Sequence, residues 1–115
     1  MPDDSGTSEK SAEYRKITAK EAYEKIQAGG VTVVDVRTKA EYDEGHIQGA
    51  ILLPNENIGS TVPNELPEKD AVILVYCRSG RRSREAADKL LSLGYRNVYN
   101  FGGIIDWPYE MVASE

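Results

Sequence analysis

The sequence predicts an α/β fold, a small central parallel sheet flanked by helices on both faces. Two observations carry this. Apolar, β-branched runs such as "VTVVDV" (31–36) and "AVILVY" (71–76) alternate along the chain with segments whose apolar residues recur at helical spacing. Those runs are also apolar at consecutive positions, so both faces of each strand must be covered, as in parallel sheets.

The elements follow in chain order. Residues 1–13, "MPDDSGTSEKSAE", lack hydrophobic periodicity, so a disordered tail is expected there and a single domain over 14–115. "RKI" at 15–17 reads as a short edge strand. Thr18 and Glu21 form a T-x-x-E capping box; Ala19, Ala22, Tyr23 and Ile26 continue the helix, and Gly29-Gly30 ends it. Residues 31–36 form the first buried strand, 38–46 ("TKAEYDEGH") a short capped helix, and 50–54 ("AILLP") a second apolar strand closed by Pro54. Residues 55–70 are loop-like, and 71–76 is the central strand. Ser83 is expected to cap a helix running to Leu93, with Ala86, Ala87, Leu90 and Leu91 as its apolar stripe and Gly94 as its stop. "NVYNF" (97–101) is a further short strand, and "IIDWPYEMV" (104–112) a last helix or turn.

Composition narrows the function. A chain of 115 residues fits one domain able to bury its own core. Its net charge of −5 argues against nucleic acid or an anionic membrane as partner, and its apolar runs are too short to cross a bilayer. The single cysteine, Cys77, forbids an internal disulfide, a thioredoxin-like dithiol and a multi-thiolate metal site. A lone thiol suits a reducing cytoplasm, with export behind a removed leader as the alternative. Nothing in the sequence demands a dimer, and a monomer is expected. No P-loop motif occurs.

That thiol sits in "VYCRSGRRSREAADKL" (75–90), where Arg78, Arg81, Arg82 and Arg84 crowd an otherwise acidic chain. The order is buried strand, cysteine, loop, helix. Ligands of open α/β sheets gather at the carboxyl ends of strands. The next helix brings unpaired N–H groups and positive dipole character, and Ser79 and Gly80 let the chain curl into an anion nest. A cysteine at its base loses its proton readily. Cations at a helix start work against the dipole, so a bound anion is the reason to tolerate them. The plain alternative is a small buried hydrophobe beside solvated arginines.

Here the chain resembles a family. "CRSGRRS" (77–83) is similar to the active-site loop of single-domain rhodaneses, the thiosulfate sulfurtransferases. "VVDVRTKAEYDEGHIQGAILLP" (33–54) resembles their D-x-R…E-x-x-x-G-H-I-x-G-A segment, and "VYNFGGIIDW" (98–107) their closing G-G-x-x-x-W stretch. The resemblance implies that Cys77 takes sulfane sulfur from thiosulfate as a persulfide and passes it to cyanide, a thiol or a protein acceptor. It also implies that the loop from Arg78 through Ser79, Gly80, Arg81 and Arg82 to Ser83 binds the anion, and that no metal or organic cofactor is needed. Two rivals stand beside it. A persulfide relay or regulatory module would take sulfur from a protein donor. A cysteine phosphatase or arsenate reductase would need C-x5-R, but Ser83 occupies the arginine position.

Other residues are read as scaffold. His46 is expected to hydrogen-bond locally at a turn. Asp35 and Arg37 are candidates for a supporting layer behind the thiol, with Arg37 pairing to Glu41 or Glu44. Gly102 and Gly103 allow either a close backbone approach to the loop or an ordinary turn. Trp107 and Tyr109 are core or rim aromatics.

Overall fold

A computed structural model describes residues 14–113; the tail expected over 1–13 lies outside them. Its strands are β1 (Arg15–Lys16), β2 (Val31–Asp35), β3 (Ile51–Leu52), β4 (Val72–Cys77) and β5 (Asn97–Gly103). Its helices are α1 (Ala19–Ala28), α2 (Lys39–Glu44) and α3 (Arg81–Ser92), with single 3-10 turns at Asn55–Asn57 and Ile104–Asp106. All strands pair in parallel, in the order β1-β5-β4-β2-β3.

β4 is the middle strand because all six of its positions are apolar and can be covered on both faces. Alternation sends Ile73, Val75 and Cys77 to one face, against Ala86, Ala87 and Leu90 of α3. Leu74 and Tyr76 go to the other face, with Ala22 of α1, Phe101 and Trp107. Cys77 therefore points to the α3 side. The edge strands β1 and β3 have two residues each, which leaves little unpaired backbone exposed.

Thr18 and Thr38 each cap a helix through a reciprocal box, with Glu21 and Glu41 as partners. α3 departs from the expected pattern. It starts at Arg81, and its N-cap is Gly80 in left-handed conformation (φ 114°) with no side-chain cap. Ser83 lies inside the first turn, fully buried, and its hydroxyl donates to the Gly80 carbonyl at 3.0 Å. The cysteine loop is tighter than a Ser83 cap would make it, and the hydroxyl is turned inward.

The β4–β5 ladder contains an irregularity that the sequence did not reveal. Val75 pairs with Asn100, yet Cys77 pairs with Gly103, so β5 accommodates one extra residue. Gly102, at φ 86°, takes up the kink, and its N–H donates to Asn100 Oδ1 at 2.9 Å. The bulge carries Gly103 directly opposite the cysteine.

Candidate active site

The site is built on the carboxyl end of β4. Cys77 is 1% exposed. Its Sγ accepts the Gly80 N–H at 2.9 Å and lies 3.6 Å from Ser83 Oγ. Burial pushes the Cys77 thiol up. The Ser83 hydroxyl and the N–H groups of Ser83, Gly80 and Ser79 outweigh that, and the net shift is downward. While the thiol is protonated, Sγ–H donates to Ser83 Oγ and the hydroxyl donates to Gly80 O. On ionisation the same hydroxyl is free to turn onto sulfur.

Gly103 braces this loop from β5. A Cβ at Gly103 would stand 2.7 Å from the Cα of Ser79 and closer still to the Arg78 carbonyl oxygen. The Ile105 N–H donates to that oxygen at 3.1 Å. The close-approach reading therefore holds for Gly103, because the loop backbone occupies the space a side chain would need. Gly102 meets nothing within 4 Å of its own Cβ position.

The four arginines separate into different roles. The Arg82 guanidinium donates to Glu41 Oε1 at 2.8 Å and Oε2 at 3.0 Å, a planar fork from α3 to α2. Arg81 pairs with Glu85 at 3.3 Å on the exposed helix face. Arg78 and Arg84 are exposed and form no ion pair among the described residues. Arg82 is thus already neutralised by Glu41, whereas Arg78, next to the thiol in the chain, is left without an ion pair among the described residues.

Glu41 is the residue the sequence misplaced. It does not pair with Arg37, and neither does Glu44. Arg37 turns to Asp35 two positions back on the same strand edge, with Nε at 2.9 Å from Oδ1 and Nη2 at 2.6 Å from Oδ2. Nη2 also donates to the Gly45 carbonyl at 2.6 Å. This pair packs over the Tyr76 ring, 5.5 Å from its centroid, on the sheet face away from Cys77. Asp35 and Arg37 therefore hold the scaffold and lie apart from the thiol. The Thr38 capping box orients Glu41 instead, since Thr38 N–H and Oγ1–H both donate to Oε1 at 3.1 Å. His46 stays local, as expected. Its Nδ1–H donates to the Tyr42 carbonyl at 2.7 Å, and its ring stacks on Tyr42.

The Arg82 fork is the largest cause that holds Glu41 down at about 2, with Thr38 assisting and burial opposing. The folded value lies below the ordinary 4.5, so the stability this group contributes is present above that pH and is lost as pH falls toward 2. Glu41→Gln is expected to lower the melting temperature at neutral pH and to flatten the acid limb of the stability curve. Thermal melts of both proteins across the acid range check this; parallel curves would count against it.

Among the described residues no group of three or more His, Cys, Asp or Glu could hold a metal ion, and no helix is long and apolar enough to cross a membrane. Comparison with known proteins agrees with the geometry. The family model for the rhodanese-like domain matches residues 18–108. The chain is 37% identical over 73 residues to the thiosulfate sulfurtransferase PspE of Escherichia coli K12, covering 64% of this chain and 70% of that protein. A rhodanese-related protein from Thermoplasma volcanium superposes with a TM-score of 0.74 at 34% identity, covering 86% of this chain and 98% of the other. A rhodanese with anions from E. coli gives a TM-score of 0.65 at 34% identity, covering 71% and 96%.

Proposed function

The chain belongs to the rhodanese-like domain family, whose chemistry is sulfur transfer, and we propose that it is a thiosulfate sulfurtransferase that carries sulfur on Cys77. The observation behind this is the sulfur atom at the carboxyl end of the central strand, held by the Gly80 N–H at 2.9 Å with its thiol lowered by the loop. The Cys77 thiolate attacks the outer sulfur of thiosulfate. The S–S bond of thiosulfate breaks, and sulfite leaves with its electron pair. The N–H groups of Ser79, Gly80 and Ser83 that stabilise the thiolate then face the persulfide. A nucleophile, cyanide or a thiolate, takes the outer sulfur and regenerates the Cys77 thiolate. Arg78 and Arg81 draw in the dianion, while Arg82 holds the loop to α2. The reaction needs no metal or organic cofactor in this scheme, and the protein works as a cytoplasmic monomer.

A relay that takes sulfur from a protein donor uses the same Cys77 persulfide, and the exposed Ile105 beside the loop is one apolar contact open to such a partner. Intact mass spectrometry after thiosulfate treatment separates the two. A gain of one sulfur atom at Cys77, removed by cyanide, is the expected result. Folded, reduced protein that gains nothing would leave the relay as the better reading.

A further inference from the structure

The 3-10 turn that braces the cysteine loop has little grip of its own. The Ile105 N–H donates to the Arg78 carbonyl at 3.1 Å, yet the Ile105 side chain is 63% exposed. Whatever fixes that N–H in place must come from its neighbours. The turn spans Ile104–Asp106, and the Trp107 N–H closes it by donating to the Ile104 carbonyl at 3.0 Å. A 3-10 turn has three residues per turn, so Ile104 and Trp107 leave it on the same side. Both pack against the cluster of Leu74, Tyr76 and Phe101, on the sheet face away from Cys77.

Trp107 is the centre of that grip. Its ring centroid lies 5.4 Å from Phe101, 4.9 Å from Tyr109 and 6.3 Å from Tyr23, tilted or edge-on in each pair. These are the favoured arrangements of aromatic neighbours. Phe101 packs in turn on Tyr76 at 5.4 Å, and Tyr76 immediately precedes Cys77 in β4. The indole Nε1–H is enclosed and has no hydrogen-bond partner among the described residues. Ring packing, and not a hydrogen bond of the side chain, therefore holds the indole.

Resting on the sulfur-transfer reading above, we propose that Trp107 is a positioning residue for Cys77: anchored in the aromatic cluster, it fixes the turn whose Ile105 N–H holds the Arg78 carbonyl. The loop is then confined from two sides. Gly103 sets how near its backbone can come, because the Cα of Ser79 and the Arg78 carbonyl fill the space beside it. The Ile105 bond sets how far it can lift. The N–H groups that surround Sγ belong to the same loop, so their aim depends on this turn. The four positions from Gly103 to Trp107 are the length the device needs, one 3-10 turn and its anchor.

The test compares single variants by thermal melting, by the pH dependence of Cys77 alkylation with iodoacetamide, and by thiosulfate kinetics. Trp107→Leu keeps an apolar side chain and loses the ring contacts. Its alkylation inflection is expected to move up toward that of a free cysteine, and kcat/KM to fall about 100-fold, the scale of a 1 Å misplacement. Trp107→Phe keeps a ring and drops an N–H that has no partner, so both readouts should stay near wild type. Ile26→Ala is the control. It thins the same cluster from α1 and should lower the melting temperature without moving the inflection. Ile105→Pro removes the bracing N–H and leaves the core untouched. It should reproduce the Trp107→Leu shift, and the double variant should add little to either, since both break one link. A folded Trp107→Leu with the wild-type inflection, or an Ile26→Ala protein that shifts it as far, would overturn the inference. Where Trp107→Leu fails to fold, Ile105→Pro decides alone, and an unmoved inflection in it overturns the inference. Alkylation needs no sulfur donor, so wild-type protein that forms no persulfide from thiosulfate would sink the sulfur-transfer reading alone.

Discussion

Cys77→Ser is expected to reduce sulfur transfer to background and to leave the protein folded. The hydroxyl replaces the thiol in the same pocket, where it can still accept the Gly80 N–H and meet Ser83. A swap of this kind in a satisfied position costs about 1 kcal/mol or less of stability. Chemistry is lost because a serine hydroxyl does not ionise near neutral pH and cannot form a persulfide. The same geometry sets a second expectation. Alkylation of wild-type Cys77 by iodoacetamide should show an inflection below that of a free cysteine. Ser83→Ala should move that inflection upward, because it removes the foremost of the groups that hold the thiol down. Residual thiosulfate turnover in Cys77→Ser would end the assignment of the nucleophile.

Gly103→Ala is expected to damage the site from the neighbouring strand. The new methyl would meet the backbone of Arg78 and Ser79, and backbone atoms cannot swing aside as the end of a side chain can. The hydrogen bond from Ile105 to the Arg78 carbonyl prevents an easy retreat. The loop must lift, and the N–H groups around Sγ move with it. A displacement of about 1 Å in a positioned site costs about 100-fold in rate. Overpacking of this kind costs about 1–3 kcal/mol in stability. Gly59→Ala is the control, since a Cβ there meets nothing within 4 Å. Thiosulfate kinetics and thermal melts of the two variants decide the matter. Unchanged kcat/KM in Gly103→Ala would show that the loop is not braced by β5.

The division between what could be read early and late follows the range of the interactions. The Thr18 box was legible because a capping box closes within four residues; the helix after Thr38 was legible as capped, though its box with Glu41 was not named. The central strand was legible because its run is apolar at every position, which only a strand covered on both faces requires. Ser83 was misread because its residue type favours a cap. The chain instead used Gly80 in a left-handed conformation and spent the hydroxyl on the cysteine pocket. The bulge opposite Cys77 left a trace only as Gly102-Gly103, a pair equally at home in any turn.

By itself the sequence determined the α/β order, the position of the thiol after a buried strand, and the cationic loop that follows. Each of these is written in neighbours along the chain. Only the tertiary structure decided which charges remain available. Arg82 meets Glu41 across 41 positions, and Arg37 turns away to Asp35 on the opposite face of the sheet. Charge pairing depends on distance in space, and several acidic residues compete for every arginine. The positions that α2 and α3 take on the sheet select among them, and the sequence carries no marker for that choice.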